Sequence, residues 1–265
     1  MKHSIGIDIG STSTKTAVLD EKMEPVLLFV QPTGWSSVDT AEAVRVRLWQ
    51  EGYDIAKCAC IATGYGRVSV PFADKTVTEI TCHSEGAIHL FHAKNLIVID
   101  IGGQDTKIIQ VENGTVKDFV MNDKCSAGTG RFLEIMAGTL ALRPDELCRL
   151  AETGGGTSIS SMCTVFAESE VISLIGRGEK KENIAFAVVD SIVKKVASQA
   201  KRLEGNTETV CLTGGMCDCE YIRSAIGRQL HKTIVSESNG RYAGAIGAAL
   251  RAAKIRKGDK DDLSG

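Results

Sequence analysis

The sequence predicts an α/β protein made of two similar halves, and three observations support this prediction. The segment Ile5–Lys15 recurs as Ile97–Lys107, and Asp, Ile, Gly, Thr and Lys return in register. Each copy is an apolar run that ends in Asp-x-Gly and re-enters a second apolar run, which is typical of a β-hairpin. The length of 265 residues suits two domains of about 100–150 residues each.

In the first half the predicted order is three strands, a helix, a strand and a helix. The hairpin turns at Asp8–Thr12, and apolar residues with helical spacing begin at Val38. This βββαβα order indicates an α/β domain. The predicted bounds are 3–20 for the hairpin, 26–30 for the third strand, 38–51 for the helix, 58–63 for the next strand and 79–92 for the last helix. On that last helix, His83, His89 and His92 are interpreted as surface residues rather than metal ligands.

The second half repeats this order and then departs from it. Asn113-Gly114 is a strong turn signal between the second hairpin and its third strand. A Gly-rich segment, Cys125–Gly130, then replaces the first helix. The predicted bounds are 96–110 for the hairpin, 115–121 for a strand, 132–140, 144–151, 165–175 and 184–203 for helices, and 210–213 for a strand. We expect one lobe over 1–93 and a second over 94–265, with the C-terminal helix Tyr242–Ile255 as the candidate to pack back on the first lobe.

Composition excludes several classes of function. Hydrophobic residues make up 43% and charged residues 24% of the chain, as in ordinary globular proteins. A net charge of -2 argues against nucleic-acid and membrane-surface partners. Met1-Lys2-His3 leads directly into a strand, and no apolar run approaches the ~20 residues of a membrane span. We therefore expect a cytoplasmic protein whose nine cysteines are mostly small buried side chains rather than disulfides.

The paired hairpin tips are typical of a site that grips a polyphosphate from both sides. Asp8 and Asp100 each end a strand, where a carboxylate can hold Mg²⁺, usually through water, beside a phosphate. We take these two carboxylates and Gln104, which could orient a water, as the catalytic candidates. A lone Asp-x-Gly would be an ordinary turn, but a matched pair with a late Thr213-Gly214-Gly215 is more specific. The candidate nucleotide contacts, which supply backbone N–H, hydroxyl or cationic groups, are Gly10, Ser11, Thr12, Ser13, Thr14, Lys15, Gly102, Gly103, Gln104, Asp105, Gly214, Gly215 and Arg241.

Cys125 and Cys163 each lie just ahead of a predicted helix. The free N–H groups and dipole of a helix N-terminus suit a thiolate, the form that ligates metal. Two thiolates cannot complete a four-ligand cluster, but two copies of the chain around a two-fold axis can. Spacing alone leaves a shared cluster and two unligated thiols both open. Cys217-x-Cys219 is interpreted as two incidental thiols at a helix start, with a second metal or redox role open.

Three motifs of the chain resemble those of a known nucleotide-binding superfamily. Asp8–Thr12, Asp100–Asp105 and Leu212–Gly215 look like the phosphate-1, phosphate-2 and adenosine motifs shared by actin, sugar kinases and heat-shock ATPases. This resemblance implies two duplicated ribonuclease-H-like domains with ATP in the cleft between them.

A narrower resemblance covers the chain from about Ser4 to Ala253. It is similar to the ATPase activators of (R)-2-hydroxyacyl-CoA dehydratases, above all those of 2-hydroxyglutaryl-CoA dehydratase, within the BadF/BadG/BcrA/BcrD type of ATPase. The motifs that carry it are Asn122–Leu133, Cys163–Ser173, Ala62–Arg67 and Tyr242–Leu250.

The resemblance implies an ATP-driven electron carrier of anaerobic amino acid fermentation. A homodimer would hold one 4Fe-4S cluster through Cys125 and Cys163 of each subunit. Reduced flavodoxin or ferredoxin would supply the electron, and an iron–sulfur dehydratase would receive it, coupled to ATP hydrolysis. Because the dehydratase and not the activator binds the acyl-CoA, several fermentation pathways fit equally.

Other readings remain open at this point. A small-molecule kinase of the same superfamily would need an aspartate base and no cluster. An actin-type scaffold would respond to nucleotide without redox dependence. An ATPase subunit of a benzoyl-CoA reductase would share its cluster with a different chain, and a double-cubane iron–sulfur reductase is a further electron acceptor for an activator.

Overall fold

The computed structural model describes residues 3–161, 163–203 and 209–257. Within them the strands are β1 (Ser4–Ile9), β2 (Ser13–Leu19), β3 (Pro25–Pro32), β4 (Ala59–Thr63), β5 (Lys75–Thr76), β6 (Leu96–Ile101), β7 (Thr106–Glu112), β8 (Thr115–Asn122), β9 (Thr209–Gly214) and β10 (Ile234–Val235). The helices are α1 (Ser37–Gln50), α2 (Glu79–Phe91), α3 (Gly130–Thr139), α4 (Pro144–Ala151), α5 (Thr164–Gly176), α6 (Lys181–Ala200), α7 (Glu220–Leu230) and α8 (Ala243–Lys257).

The chain divides into two compact units. The first takes in the described residues of Met1–Asn95, Val111–Lys117 and Asn239–Gly265, and the second those of Leu96–Gln110 and Asp118–Ser238. The C-terminal helix α8 therefore lies in the unit of the first sheet, where it packs against α2, β1 and β4.

The first unit is built on a five-stranded sheet of order β3-β2-β1-β4-β5. β1 pairs antiparallel with β2 and parallel with β4, so the predicted hairpin forms the centre of the sheet. On one face, Ile5, Ile7 and Ile9 are buried with Val44 and Leu48 of α1. Burial of side chains of this size contributes about 1.5–3 kcal/mol each to folding.

The other face of this sheet is covered by α2 and α8, which approach closely because glycines lie between them. A Cβ on Gly247 of α8 would overlap the Cys82 carbonyl of α2, and a Cβ on Gly86 would overlap the Ala243 carbonyl. Small residues are therefore required where the two backbones meet.

We expect Gly247→Ala to lower the free energy of unfolding by about 1–3 kcal/mol, because the added methyl group meets backbone that must shift. Urea denaturation followed by circular dichroism measures this change. Gly138→Ala in α3 is the matched control, since nothing lies within 4 Å of its Cβ position. That control should gain about 0.5–1 kcal/mol from helix propensity alone. Equal effects of the two substitutions would contradict the close-packing explanation.

The second unit repeats the plan with a five-stranded sheet of order β10-β9-β6-β7-β8. β6 pairs parallel with β9, from Leu96↔Thr209 to Ile101↔Gly214, so both strands end at one edge. The core is larger here, because α6 is buried along most of its length among α3, α4, α5 and α7. Pro144 begins α4 at a position where no backbone N–H is needed.

The predicted α/β class and most predicted elements are confirmed. The third strand is longer than predicted at both ends, and α6 begins three residues earlier than its predicted start. The prolines and polar residues at these ends carry no periodic apolar signal. The interpretation of His83 as a surface residue was wrong: the side chain is buried, on the inner face of α2. No helix in the described part of the chain is long and apolar enough to cross a membrane.

Candidate functional site

The first carboxylate, Asp8, lies at the end of β1 and is buried. Its Oδ2 atom is 3.7 Å from Nε2 of His83. A Cβ on Gly244 would lie 2.7 Å from Oδ2 of the same carboxylate, and one on Gly64 would overlap its other oxygen. The carboxylate of Asp8 therefore lies beside a histidine, in space that two glycines leave open. The sequence did not identify His83 as a partner of Asp8, because it did not show which face of α2 meets the sheet.

The loop after Asp8 is closed by a residue that the sequence did not single out. Thr33 donates its hydroxyl to the Gly10 carbonyl at 2.7 Å and its N–H to the Thr12 carbonyl at 3.1 Å. Its hydroxyl also pairs with that of Thr14 at 2.9 Å, in the interior of the unit. Thr14 is thus turned inward, while Ser11, Thr12 and Ser13 stay half-buried at the surface of the loop. Lys15 reaches the Ser13 carbonyl at 3.4 Å.

The second carboxylate, Asp100, lies at the equivalent end of β6 and has more partners. Thr213 of β9 donates its hydroxyl to Oδ1 of Asp100 at 2.8 Å. The ammonium of Lys107 is 3.4 Å from Oδ2 of Asp100 and 2.8 Å from the carboxylate of Asp105. A buried cation between two carboxylates compensates their charge, which would otherwise be costly to bury. Lys107 was missed as a site residue, although the repeat places it in register with Lys15.

We expect Lys107→Met to lower the free energy of unfolding by about 3–5 kcal/mol, because it leaves two carboxylates close together without their cation. Lys15→Met is the matched control at the equivalent position of the first hairpin. Its ammonium donates to the Ser13 carbonyl and, among the described residues, has no ion pair, so we expect a loss below about 1 kcal/mol. Chemical denaturation of both variants measures the difference, and similar losses would show that the buried ion pairs do not stabilise the turn.

Hydrogen bonds join the turn after Asp100 to helix α3. The N–H of Gly130 donates to the Gly102 carbonyl at 2.9 Å, and the N–H of Arg131 donates to the Gly103 carbonyl at 2.7 Å. Within the turn, the N–H of Gly102 donates to the Asp105 carbonyl at 2.9 Å, and Gln104 is exposed. The glycine turn and the start of α3 therefore form one hydrogen-bonded block.

The glycine pair after β9 presents open backbone at the same edge of the sheet. Gly214 has φ +85° and its Cβ position overlaps the Ile101 carbonyl, so only glycine fits. Nothing lies within 4 Å of a Cβ on Gly215, so a ligand has room to approach the backbone there. Arg241 lies in the short 3₁₀ helix Gly240–Tyr242 of the first unit, and it is half-buried.

The structure brings the segments of Cys125 and Cys163 together. Residue 162, which precedes Cys163, lies outside the described residues. The hydroxyls of Ser126 and Thr164, one residue after each cysteine, share a hydrogen bond of 2.6 Å. Asn122 holds the first segment through its Nδ2, which donates to the Cys125 carbonyl at 2.8 Å. Cys125 is half-buried and Cys163 exposed. Among the described residues no group of three or more His, Cys, Asp and Glu could hold a metal ion within this chain alone.

Comparisons with known proteins identify relatives of the whole chain. The chain is 40% identical over 255 residues to the (R)-2-hydroxyglutaryl-CoA dehydratase activating ATPase of Acidaminococcus fermentans, covering 95% of this chain and 97% of that protein. The crystal structure of component A of the same dehydratase from that organism matches 97% of this chain and 100% of its own, with a TM-score of 0.89 and 38% identity.

Two further structures match the chain at different levels of sequence identity. The activator of 2-hydroxyisocaproyl-CoA dehydratase from Clostridium difficile, with bound ADPNP, matches with a TM-score of 0.89 at 34% identity over 99% of this chain and all of its own. A ROK family glucokinase from Streptomyces griseus matches with a TM-score of 0.61 at 16% identity over 95% of this chain and 99% of its own, which shows the sugar-kinase type of fold alone. The model of the BadF/BadG/BcrA/BcrD ATPase family matches residues 5–252. Because the family model and the relative that is 40% identical each cover nearly the whole chain, the chain belongs to the BadF/BadG/BcrA/BcrD ATPase family.

Proposed function

We propose that this protein is an ATP-hydrolysing activator that delivers a low-potential electron from a 4Fe-4S cluster to an iron–sulfur (R)-2-hydroxyacyl-CoA dehydratase. The observation that carries the proposal is the meeting of the two cysteine segments through Ser126 and Thr164. The chemistry of a sugar kinase does not require two accessible cysteines on neighbouring segments. The identity to activating ATPases over nearly the whole chain supports the same reading.

The donor set suits an iron–sulfur cluster shared between two chains. Cys125 and Cys163 are the accessible thiols of the second unit that lie on neighbouring segments, whereas Cys211 is buried in the sheet. Thiolate sulfur is the usual ligand of a 4Fe-4S cluster, which takes four. Two copies of this chain would supply them, and the bound cluster would serve as a one-electron donor of low potential.

An exposed apolar face supports the homodimer. On α5, Val165 and Phe166 are 67% and 68% exposed, and Ile172 and Ile175 are also exposed. Cys163 is the residue that precedes α5, so the helix that carries these apolar residues begins at the cysteine. Exposed apolar residues grouped in this way are typical of an interface, and a two-fold axis would present both cysteines twice.

The nucleotide would act through the glycine turns. We assign Mg²⁺, through water, to Asp8 and Asp100, and phosphate contacts to the loop Gly10–Lys15 and the turn Gly102–Asp105. Gln104 is exposed within the second turn and would orient the attacking water. Gly214 and Gly215 would bind the adenosine, with Arg241 as a further contact.

Hydrogen bonds connect the second turn to the segment that carries Cys125. The carbonyls of Gly102 and Gly103 accept from the first N–H groups of α3, and Thr106 donates its hydroxyl to the Gly128 carbonyl at 2.8 Å. A shift of the turn between nucleotide states would therefore move the start of α3 and the segment of Cys125. A reduced flavodoxin or ferredoxin is the proposed electron donor.

Anaerobic purification with iron and sulfide reconstitution tests the proposal. We expect a brown homodimer with about four irons per two chains, whose electron paramagnetic resonance signal changes between ADP and ATP. A colourless protein that binds no iron but phosphorylates a small molecule would overturn it in favour of the kinase. A cluster that forms only after mixing with a second, different ATPase chain would favour the benzoyl-CoA reductase type.

A further inference from the structure

A side chain in the middle of helix α5 holds the segment that leads to Cys163. The carboxylate of Glu170 accepts from the N–H of Ser160 at 3.1 Å and from the N–H of Ser161 at 3.2 Å. The hydroxyl of Ser160 also donates to this carboxylate, at 3.2 Å. Two backbone donors and one hydroxyl therefore converge on a single half-buried carboxylate of the helix that begins at the cysteine.

The start of the same segment is held by other residues. The N–H of Gly155 donates to the side-chain oxygen of Asn183 at 3.1 Å, and the hydroxyl of Thr157 donates to the carboxylate of Glu179 at 2.9 Å. These contacts do not involve Glu170. Loss of the Glu170 carboxylate would therefore release the end of the segment, next to the cysteine, and leave its start in place.

Ser161 passes this restraint on to the backbone of Cys163. The N–H of Cys163 donates to the Ser161 hydroxyl at 3.3 Å, and the same hydroxyl donates to the Cys163 carbonyl at 3.3 Å. The Cys163 carbonyl also accepts from the N–H of Ala167 at 2.8 Å, in the first turn of α5. The backbone of Cys163 is thus held by the helix on one side and by Ser161 and Glu170 on the other.

A carboxylate fits these donors better than the amide of the same shape. Both oxygens of a carboxylate accept hydrogen bonds, whereas a glutamine side chain has one oxygen and an NH₂ group that only donates. Because the N–H groups of Ser160 and Ser161 cannot accept, an NH₂ group at position 170 cannot replace the second oxygen. Hydrogen bonds to a charged acceptor are also about twice as strong as those between neutral groups.

We propose that Glu170 is a positioning residue for the cluster, which fixes the backbone of Cys163 through Ser161 before any iron is bound. This role rests on the proposed function, since it takes Cys163 as a cluster ligand. A ligand whose backbone is already ordered loses less conformational entropy when the cluster binds. Removing a partner that orients a metal ligand typically lowers metal affinity by about 10–100-fold.

Hydrogen exchange of the cluster-free protein, followed by NMR, tests the restraint without metal. In Glu170→Gln we expect the amides of Ser160 and Ser161 to exchange at least about tenfold faster, because they lose a charged acceptor. Glu168→Gln is the matched control on the same helix. The carboxylate of Glu168, also half-buried, accepts from the Thr139 hydroxyl at 3.2 Å, a bond that the glutamine oxygen can keep. Unchanged exchange of both amides in Glu170→Gln would overturn the proposal.

Iron release from the reconstituted protein to a chelator tests the link to the cluster. We expect release to be about 10–100-fold faster in Glu170→Gln and faster also in Ser161→Ala, with no change in Glu168→Gln. The double variant of Glu170 and Ser161 should release iron no faster than the faster single variant, because both substitutions break one chain of contacts. Effects that multiply would contradict this chain.

Failure of this role differs from failure of the proposed function. If the unchanged protein takes up no iron on reconstitution, the proposed function fails. If it takes up iron and Glu170→Gln releases that iron at the unchanged rate, only the positioning role of Glu170 fails. Ser161→Ala tests the same contacts from the segment side, so misfolding of Glu170→Gln would not leave the question open.

Discussion

We expect Cys125→Ser to abolish the proposed iron content and electron delivery while nucleotide binding is retained. The iron content should fall from about four per two chains to near zero, because a cluster with two of its four thiolates missing is not held. Activation of the dehydratase should fall more than about 100-fold, since even outer partners of metal ligands cost 10–100-fold when removed. Anaerobic iron analysis, visible absorption and a coupled dehydratase assay measure these effects.

Cys58→Ser is the matched control for this experiment, since Cys58 is half-buried like Cys125 but lies in the first unit. It should keep its iron and its activity. If Cys125→Ser kept a full complement of iron, the assignment of the cluster ligands would be wrong. Retention of fluorescent nucleotide binding by the variant separates loss of the cluster from loss of the fold.

We expect Asp100→Asn, at the proposed magnesium site, to reduce ATP hydrolysis by about 100–1,000-fold, the usual cost of removing one preorganised electrostatic group from an active site. The amide keeps the shape of the side chain and still accepts from the Thr213 hydroxyl, while Lys107 keeps its contact with Asp105. We therefore expect a folded protein that binds nucleotide but hydrolyses it slowly. Phosphate release under saturating Mg-ATP measures the rate.

Asp190→Asn is the control for Asp100→Asn. Asp190 pairs with Lys194 at 2.7 Å on the surface of α6, where such pairs contribute at most about 1 kcal/mol to stability. Its hydrolysis rate should match that of the unchanged protein. Unchanged hydrolysis in Asp100→Asn would remove the second carboxylate from the proposed site and leave the fold assignment untouched.

Much of the fold was predictable because local patterns and tertiary packing agree. The hairpins of β1–β2 and β6–β7 follow apolar runs on either side of a glycine tip, and these runs are also the centres of the two sheets. Helix α7 was inferred only as a helix start at Cys217–Cys219, since its short apolar face is interrupted by Arg223 and Arg228. The strands β5 and β10 have two residues each, too few for any periodic signal.

The candidate site was also predictable only in part. Asp8, Asp100 and the glycines were identified because turn chemistry is local and the repeat doubles the signal. The partners of these residues were not. Thr33, His83 and Lys107 were missed as site residues, because burial beside a carboxylate depends on which face of an element meets the sheet.

By itself, the sequence determined that two homologous α/β halves each carry an Asp-x-Gly turn, since that information lies in contiguous residues. It also determined the membership of the ATPase family through motifs along nearly the whole chain. Only the tertiary structure decided which cysteine segments lie together. The hydroxyls of Ser126 and Thr164 share a hydrogen bond, which joins the segments of Cys125 and Cys163. The reason is that helix packing sets side-chain neighbours across many residues of chain, where spacing in sequence carries no signal.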